Sequence, residues 1–418
     1  MKILNINKLN MTTPKFENLE NAFIPSEVYV PLSEEKGKFK IGKKIKEGEV
    51  LSVFDGVNIH SSIPGIVSEI RKQTMPNGKI NEVAVIKMGG AFSYVGHKIL
   101  KSEWKLFSSS QIMNLLTENG VHNTFFGYHG ISNLTKNVDI ERENVLGVRL
   151  FDYDPSCVTD SFLFEKYTEE IVEGACILAK SINANKIFFF YNREQKEIID
   201  QIDVSEYDDS YDFQFEKLYS NQFSYGTREE LNSVLKKQDV LADSFVDSCT
   251  CYAAYEAVAL CKPVVDTFVH ISGSLLGEDK IFKVKRGTPL KALIEECGFC
   301  KTAPNKVIVN GMLKGVAIND SSIPITDYVK SVTLLSSREV SQQVQYACIR
   351  CGDCFRACDV GIKPNYLFAM YHYNSDIPTE YKKIAAKCTG CGRCSTVCPS
   401  RLPLYQTISL ICEEENEK

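Results

Sequence analysis

Eight of the sixteen cysteines fall between Cys348 and Cys398, and their spacing constrains the fold more than any other feature. They form two runs of the pattern C-x2-C-x2-C-x3-C: Cys348, Cys351, Cys354 and Cys358, then Cys388, Cys391, Cys394 and Cys398. Three thiolates at this spacing wrap three irons of one cubane, so each run reads as the seat of a [4Fe–4S] cluster. Structural zinc pairs two C-x2-C knuckles and leaves the third and fourth cysteines of each run without a use. A disulfide scaffold spreads paired cysteines through a short secreted chain, which this one is not. Gly352, Gly390 and Gly392 let the backbone pass close to the cluster sulfides, where amide N–H groups raise the potential.

In ferredoxins with two clusters the fourth cysteine of each run ligates the other cluster. The expected sets are therefore Cys348, Cys351, Cys354 with Cys398, and Cys388, Cys391, Cys394 with Cys358. Asp359 stands where proline often follows the fourth cysteine, whereas Pro399 follows the second run. Two clusters in one small domain carry single electrons, and the remaining chain must explain what loads them.

That remainder is long. At 418 residues the chain exceeds one ordinary core, and roughly two to four domains are expected. Its hydrophobic content of 44% and charged content of 24% are those of a water-soluble globular protein. A net charge of −5 offers no basic field for nucleic acid. No uncharged apolar stretch reaches the about 18 residues needed to span a bilayer, and the start MKILNINKLN lacks a secretory pattern. The expectation is a cytoplasmic protein, docked peripherally if it meets a membrane.

Up to residue 100 the chain reads as short strands separated by turns. In KIKEGEVLSVFDGVNIHSSIPGIVSEI apolar and polar residues alternate, punctuated by Gly48, Gly56 and Pro64-Gly65. This pattern resembles the barrel-sandwich fold of lipoyl and biotinyl carriers. No lysine lies between Lys46 and Arg71 to hold such a cofactor, so no lipoyl or biotinyl attachment is expected. From about 105 the pattern alternates strand and helix. VLGVRLF (145–151) and KIFFFYN (186–192) read as strands, joined by a helix that Asp160 would cap, with Leu163, Tyr167, Ile171, Ala175 and Leu178 on one face. REQKEIIDQI begins another helix, and the acidic stretch after it reads as a loop with one edge strand. That β-α-β order implies a parallel sheet. Between 262 and 335, PVVDTFVHISG, IFKVKRG and KVIVNG read as strands around the helix PLKALIEECG. Beyond 340 the chain reads as helical between cysteines, ending in a charged, frayed EEENEK tail.

Taken in order, these parts resemble the RnfC family, the cluster-bearing subunit of ion-translocating Rnf complexes. The resemblance rests on IPSEVYVPL and IHSSIPGIV near the start, the α/β and β-grasp regions, and CIRCGDC and CTGCGRC at the end. It implies a multidomain α/β and α+β fold: a barrel-sandwich hybrid (1–100), a Rossmann-like flavin/NADH-site domain (101–255), an SLBB β-grasp module (256–338) and a helical two-cluster ferredoxin domain (339–418). The partners it implies are the other subunits of a membrane complex and a ferredoxin or flavoprotein, and the implied location is the cytoplasmic face of the cell membrane. It also implies FMN and NADH, held by Gly127, Gly130, Asp152, Asp154 and Thr250.

The chain departs from the family at that site. Where the family carries a Gly-rich GxGGAGFPTxxK loop, it reads GVHNTFFGYHGISNL (120–134), without the Pro-Thr pair and with Asn133 or Lys136 near the family's lysine. Bulky Phe125, Phe126 and Tyr128 stand where small residues let backbone amides reach a phosphate. The family's ECEP reads Asp152-Tyr153-Asp154-Pro155, its YPxG reads Phe223-Ser224-Tyr225-Gly226, and its N-V-x-T reads Asp247-Ser248-Cys249-Thr250. The GGPMMG turn becomes 310–315, NGMLKG. His122 and His129 are donors available to a ligand or to packing. Two outcomes stay open: an altered flavin site, or a fold kept without the flavin.

Cys297 and Cys300 form a C-x-x-C at a helix C-terminus, where the dipole works against a thiolate, so packing is the expected role. Cys249 and Cys251 read as core residues. Functionally, the expectation is an electron relay in an Rnf-type complex. The alternative is a soluble relay serving a cytoplasmic enzyme, such as a corrinoid reactivase or an amino-acid reductase. A scaffold would have no reason to keep eight ligands.

Overall fold

The computed structural model describes residues 19–32, 40–89, 101–125, 127–137, 143–207, 210–218, 226–242, 244–298, 302–340, 344–373 and 377–416. After a short strand β1 (Leu19–Asn21) come β2 (Glu27–Pro31), β3 (Lys44–Ile45), the hairpin β4 (Val50–Phe54) and β5 (Val57–His60), then β6 (Gly65–Thr74) and β7 (Ile80–Met88). A four-stranded antiparallel sheet runs β2-β7-β6-β3. Its alternating residues close a core with the hairpin, among them Val28, Ile45, Leu51, Ile59, Val67 and Ile86. The hairpin turns at Asp55 and Gly56, whose φ of 47° and 76° suit a primed two-residue turn.

Helix α1 (Ser109–Glu118) starts in a capping box between Ser108 and Gln111. A small ladder β8 (His122–Asn123) and β9 (His129–Gly130) follows. Then come β10 (Asn144–Arg149), α2 (Thr159–Lys166), α3 (Thr168–Ser181), β11 (Ala184–Tyr191), a single turn α4 (Lys196–Ile199), the edge strand β12 (Asp212–Lys217), α5 (Arg228–Leu235), β13 (Ser244–Asp247) and α6 (Ser248–Ala254). The sheet β12-β11-β10-β13 is parallel throughout, as the β-α-β alternation requires. Helix α3 is buried almost all round, at Ile171, Ala175, Cys176 and Leu178 among others, because it lies between the sheet and α6.

Two sequence expectations change here. The helix expected from Asp160 breaks at Tyr167, whose φ of −129° and ψ of 45° separate α2 from α3. Asp160 is not its cap either. It sits inside the first turn, and Asp152 accepts from the N–H groups of Asp160 and Ser161, both at 3.0 Å.

Next come β14 (Asp266–Ser272), β15 (Lys280–Lys285), α7 (Leu290–Glu296), β16 (Lys306–Val309), β17 (Val316–Ile318) and β18 (Ser331–Leu335). They form a mixed sheet, β1-β15-β14-β18-β16-β17, whose core takes Leu290 and Leu293 from α7. Its edge strand β1 comes from the far N-terminal region and pairs parallel with β15 through Leu19 and Ile281. Cys297 is buried after α7, whereas Cys300 lies outside the described residues.

The C-terminal segment is helical: α8 (Asp353–Arg356), α9 (Pro364–Tyr373), α10 (Thr379–Ala385), α11 (Arg393–Thr396) and α12 (Leu404–Asn416). Helices α8 and α11 both start from a glycine at positive φ, Gly352 at 80° and Gly392 at 69°, so the two cysteine runs share one local geometry. The tail expected to fray is helical as far as Asn416.

Candidate metal centre

Each cysteine run places its first two cysteines in a tight loop and the third on the one-turn helix that follows. Cys348, Cys351 and Cys354 line one cavity together with Cys398, the last cysteine of the other run. Cys358 packs beside Cys388 in the apolar cluster around Ile362, Ile408 and Ile411. Cys391 and Cys394 are buried, and Cys394 shares a cluster with Cys354, Leu402 and Leu404, so the two groups of thiols adjoin. The Gly390 N–H donates to Cys388 Sγ at 3.4 Å, an amide aimed at a prospective ligand sulfur. Four thiols converging on one cavity fit the needs of an iron–sulfur cubane.

The second run is pressed against the turn at 310–315. A Cβ on Gly392 would lie 3.1 Å from the Leu313 carbonyl oxygen. Arg393 holds the contact from the side, with Nη1 2.6 Å from both Asp359 carboxylate oxygens and Nη2 3.4 Å from Glu230 on α5. Beneath this turn Lys314 is buried, its Nζ 3.4 Å from the centre of the Tyr153 ring. Burial first, and the Arg149 guanidinium second, push its pKa down to about 7.

The carboxyl ends of β10 and β13 are where open α/β sheets usually hold a ligand. Here that space is filled from within. Arg149, at 1% exposure, sends its guanidinium under the Phe125 ring at 4.4 Å. It donates to the carbonyls of Phe151, Gly226 and Phe125 at 3.0–3.3 Å. Lys330 reaches in from the mixed sheet, 2.7 Å from Asp160 and 2.5 Å from Asp247. Burial opposes its charge, but the two carboxylates outweigh that cost and hold it well above the ordinary lysine value. Asp247 in turn accepts from the Thr250 N–H and hydroxyl and from the Thr124 hydroxyl.

The positions singled out for a nucleotide are engaged by the chain itself. Asp152 caps α2, and burial first and Asp160 second push it up to about 6. Asp154 accepts from Ser156 and from the Leu313 N–H at 3.0 Å. Thr250 is buried in the Asp247 network. The Gly130 N–H donates to Asp55 at 2.7 Å, Asn133 joins the same carboxylate, and a Cβ on Gly130 would sit 2.0 Å from the Asp55 carbonyl oxygen. That loop is thus bolted to the hairpin tip. Gly127, at φ 95°, turns the chain beside His129, while His122 is buried and stacked on Tyr128 at 4.3 Å. Phe126 and Phe223-Ser224-Tyr225 lie outside the described residues. Gly226 is tight against Arg149, with a Cβ position 2.5 Å from its Cδ.

Arg149, Lys314 and Lys330 escaped the sequence reading. Their signal was a lone cation interrupting an apolar run, as in VLGVRLF. A further consequence concerns Gly311: a Cβ there would lie 2.2 Å from Asp154 Cγ, at a φ of 99°. Gly311→Ala is expected to cost roughly 2–4 kcal/mol through overpacking and strain. Urea unfolding would show a lowered midpoint, and an unchanged one would refute the close approach.

An open cleft of about 460 Å3 lies near the thiols. Phe125 and Phe245, stacked at 5.4 Å, form one wall. His129, Lys136, Arg228 and Lys387 also line it, and Cys388 borders it.

Residues 347–402 match the 4Fe-4S dicluster domain family. The chain is 24% identical over 376 residues to the C subunit of the proton-translocating ferredoxin:NAD(+) oxidoreductase complex of Clostridium ljungdahlii, covering 84% of this chain and 79% of that protein. It is 23% identical over 371 residues to the C subunit of the ion-translocating oxidoreductase complex of Vibrio cholerae, covering 83% of this chain but 47% of that one. Against its counterpart in Methanosarcina acetivorans identity rises to 34%, over 118 residues and 28% of this chain. The match thus spans about half the length of the Vibrio cholerae protein and about a quarter of the Methanosarcina acetivorans one. Among solved structures, an NAD+-reducing [NiFe]-hydrogenase in its H2-reduced state superposes with a TM-score of 0.50, at 11% identity, over 73% of this chain and 62% of that one. That likeness is one of fold alone.

Proposed function

We infer that this chain, a homologue of the RnfC proteins, is an iron–sulfur electron-transfer subunit of an Rnf-type ion-translocating ferredoxin:NAD oxidoreductase complex. The observation that carries this is the cavity in which Cys398 joins Cys348, Cys351 and Cys354. These four are assigned to one [4Fe–4S] cluster, and Cys388, Cys391, Cys394 and Cys358 to the other. Clusters bound there would exchange one electron at a time. The chain's part is to fix the thiols, aim the Gly390 amide at Cys388, and clamp the second run to the body through Arg393.

No described helix is long and apolar enough to cross a membrane. In this reading the subunit attaches peripherally, on the cytoplasmic face, through its partner subunits. The N-terminal sheet and hairpin serve as the barrel-sandwich, the parallel sheet as the Rossmann-like part and the mixed sheet as the SLBB module, with boundaries near 100, 255 and 338.

Flavin does not fit at the carboxyl end of the parallel sheet, because Arg149, Tyr153 and Lys314 fill it and the loop amide of Gly130 is committed to Asp55. The reading favoured is therefore a relay loaded by another flavoprotein. A second reading is favoured by the cleft beside Cys388, whose cations and aromatic wall suit a nucleotide. An anaerobic titration separates them. With the cluster-loaded protein, dithionite should bleach the visible absorbance and NADH should leave it unchanged. Bleaching by NADH would overturn the flavin-free relay.

A further inference from the structure

The two groups of thiols differ in exposure. Cys391 and Cys394 are buried beneath the 310–315 turn, whereas Cys348 is exposed. Around Cys348 the surface is apolar: Val344 is 67% exposed, Tyr346 62%, Ile349 63% and Phe355 44%. Val344, Tyr346 and Ile349 lie along the continuously exposed stretch 344–350. Ile349 lines the same cavity as Cys348, and Phe355 follows the ligand position Cys354. The Tyr346 N–H bonds to the Ser400 carbonyl, and Ser400 Oγ donates to the Ala347 carbonyl at 2.9 Å, which lays 344–350 against the end of the second run.

The rim is cationic. Arg350 and Arg401 are exposed, and Arg356 lies over Gly352, its Nη1 3.5 Å from a Cβ position there. Asp353 is paired with Arg356. The chain as a whole carries a net charge of −5, so this face runs against the prevailing sign. An apolar centre with a rim of one charge is the pattern of a transient docking site, in which the rim steers encounter and the centre seats the partner.

We propose that the face around Val344, Tyr346, Ile349 and Phe355, with Arg350 and Arg401 on its rim, is the docking port for an acidic electron-transfer protein. The proposal rests on the iron–sulfur reading above and adds to it the partner's chemistry and place. One electron passes between the partner's centre and the cluster on the Cys348 side, one centre being oxidised as the other is reduced; no bond is made or broken and no proton moves. The buried thiol group then connects this port to the body of the chain.

The test uses the full-length, cluster-loaded protein and a purified acidic ferredoxin, oxidised so that binding is read without turnover. Wild type should bind it with a Kd that rises steeply between low and high salt. R350E/R401E should weaken binding at low salt by at least about tenfold and flatten the salt dependence, and V344D should weaken it at all salt concentrations. Reduction of these variants by methyl viologen radical, a small cation, should be unimpaired. Unchanged ferredoxin affinity in both variants overturns the port. So does a change in the oligomeric state of the variants without a change in ferredoxin affinity, which would assign the face to a second copy of the chain. Iron and sulfide counts are taken on every sample. A wild type without clusters would sink the underlying reading, whereas intact clusters with unaltered binding would sink the port alone.

Discussion

A Cys348→Ala/Cys398→Ala double variant should retain one cluster, with iron falling from about eight atoms per chain to about four. The reason is the cavity that these two residues share although they belong to different runs. If each run instead held its own cluster, the same variant would damage both and bind almost no iron. The reciprocal pair Cys358→Ala/Cys388→Ala should likewise keep about four irons, now in the exposed seat. Reduced samples examined by electron paramagnetic resonance should lose the broadening that two neighbouring paramagnets impose on each other. Near-complete iron loss in either double variant would refute the crossed assignment.

Lys330→Met should be the most destabilising single change outside the cysteines. The ammonium lies between Asp160 and Asp247, both buried, with Arg149 3.9 Å from each carboxylate. Removing it leaves two carboxylates competing for one guanidinium away from water, a loss of roughly 3–5 kcal/mol. The contact also joins the mixed sheet to the parallel sheet, so the loss should appear as a lower thermal midpoint of the whole body. A Lys330→Met variant carrying Asp160→Asn as well should recover much of the stability, because Asp247 then keeps Arg149 as its partner and neither charge stays buried alone. A Lys330→Met midpoint equal to wild type would mean that the network contributes nothing.

The cysteine runs were legible in the chain because cubane chemistry needs thiolates at fixed local spacing, and local spacing is what a sequence displays. The parallel sheet was legible for the same reason: VLGVRLF and KIFFFYN carry their strand period within themselves. What could not be read depends on residues far apart. Lys330 meets Asp160 across 170 positions, so its place before SVTLL says only that a lysine interrupts an apolar stretch. Asp160 looks like a helix cap until Asp152 reaches it from the preceding loop. The altered Gly-rich loop showed that a phosphate cradle was crowded, but not that Asp55, on a hairpin 75 residues earlier, claims its amide. Strand β1 falls by position within the segment expected to form an N-terminal sandwich and instead edges the mixed sheet, a pairing that three residues cannot announce.

The clamp over the second cysteine run bears on how the protein is made. Gly392 lies against Leu313, and Arg393 ties the run to Asp359 and Glu230. Once this seam has closed, a scaffold protein delivering iron and sulfide could no longer reach Cys391 or Cys394. We expect an order of assembly in consequence, the cluster at Cys391 and Cys394 entering while the C-terminal helices still stand away from the body; reconstitution of the folded apo-chain should then restore the Cys348 cluster first. Chains made under iron starvation would then carry a lasting defect at the inner site.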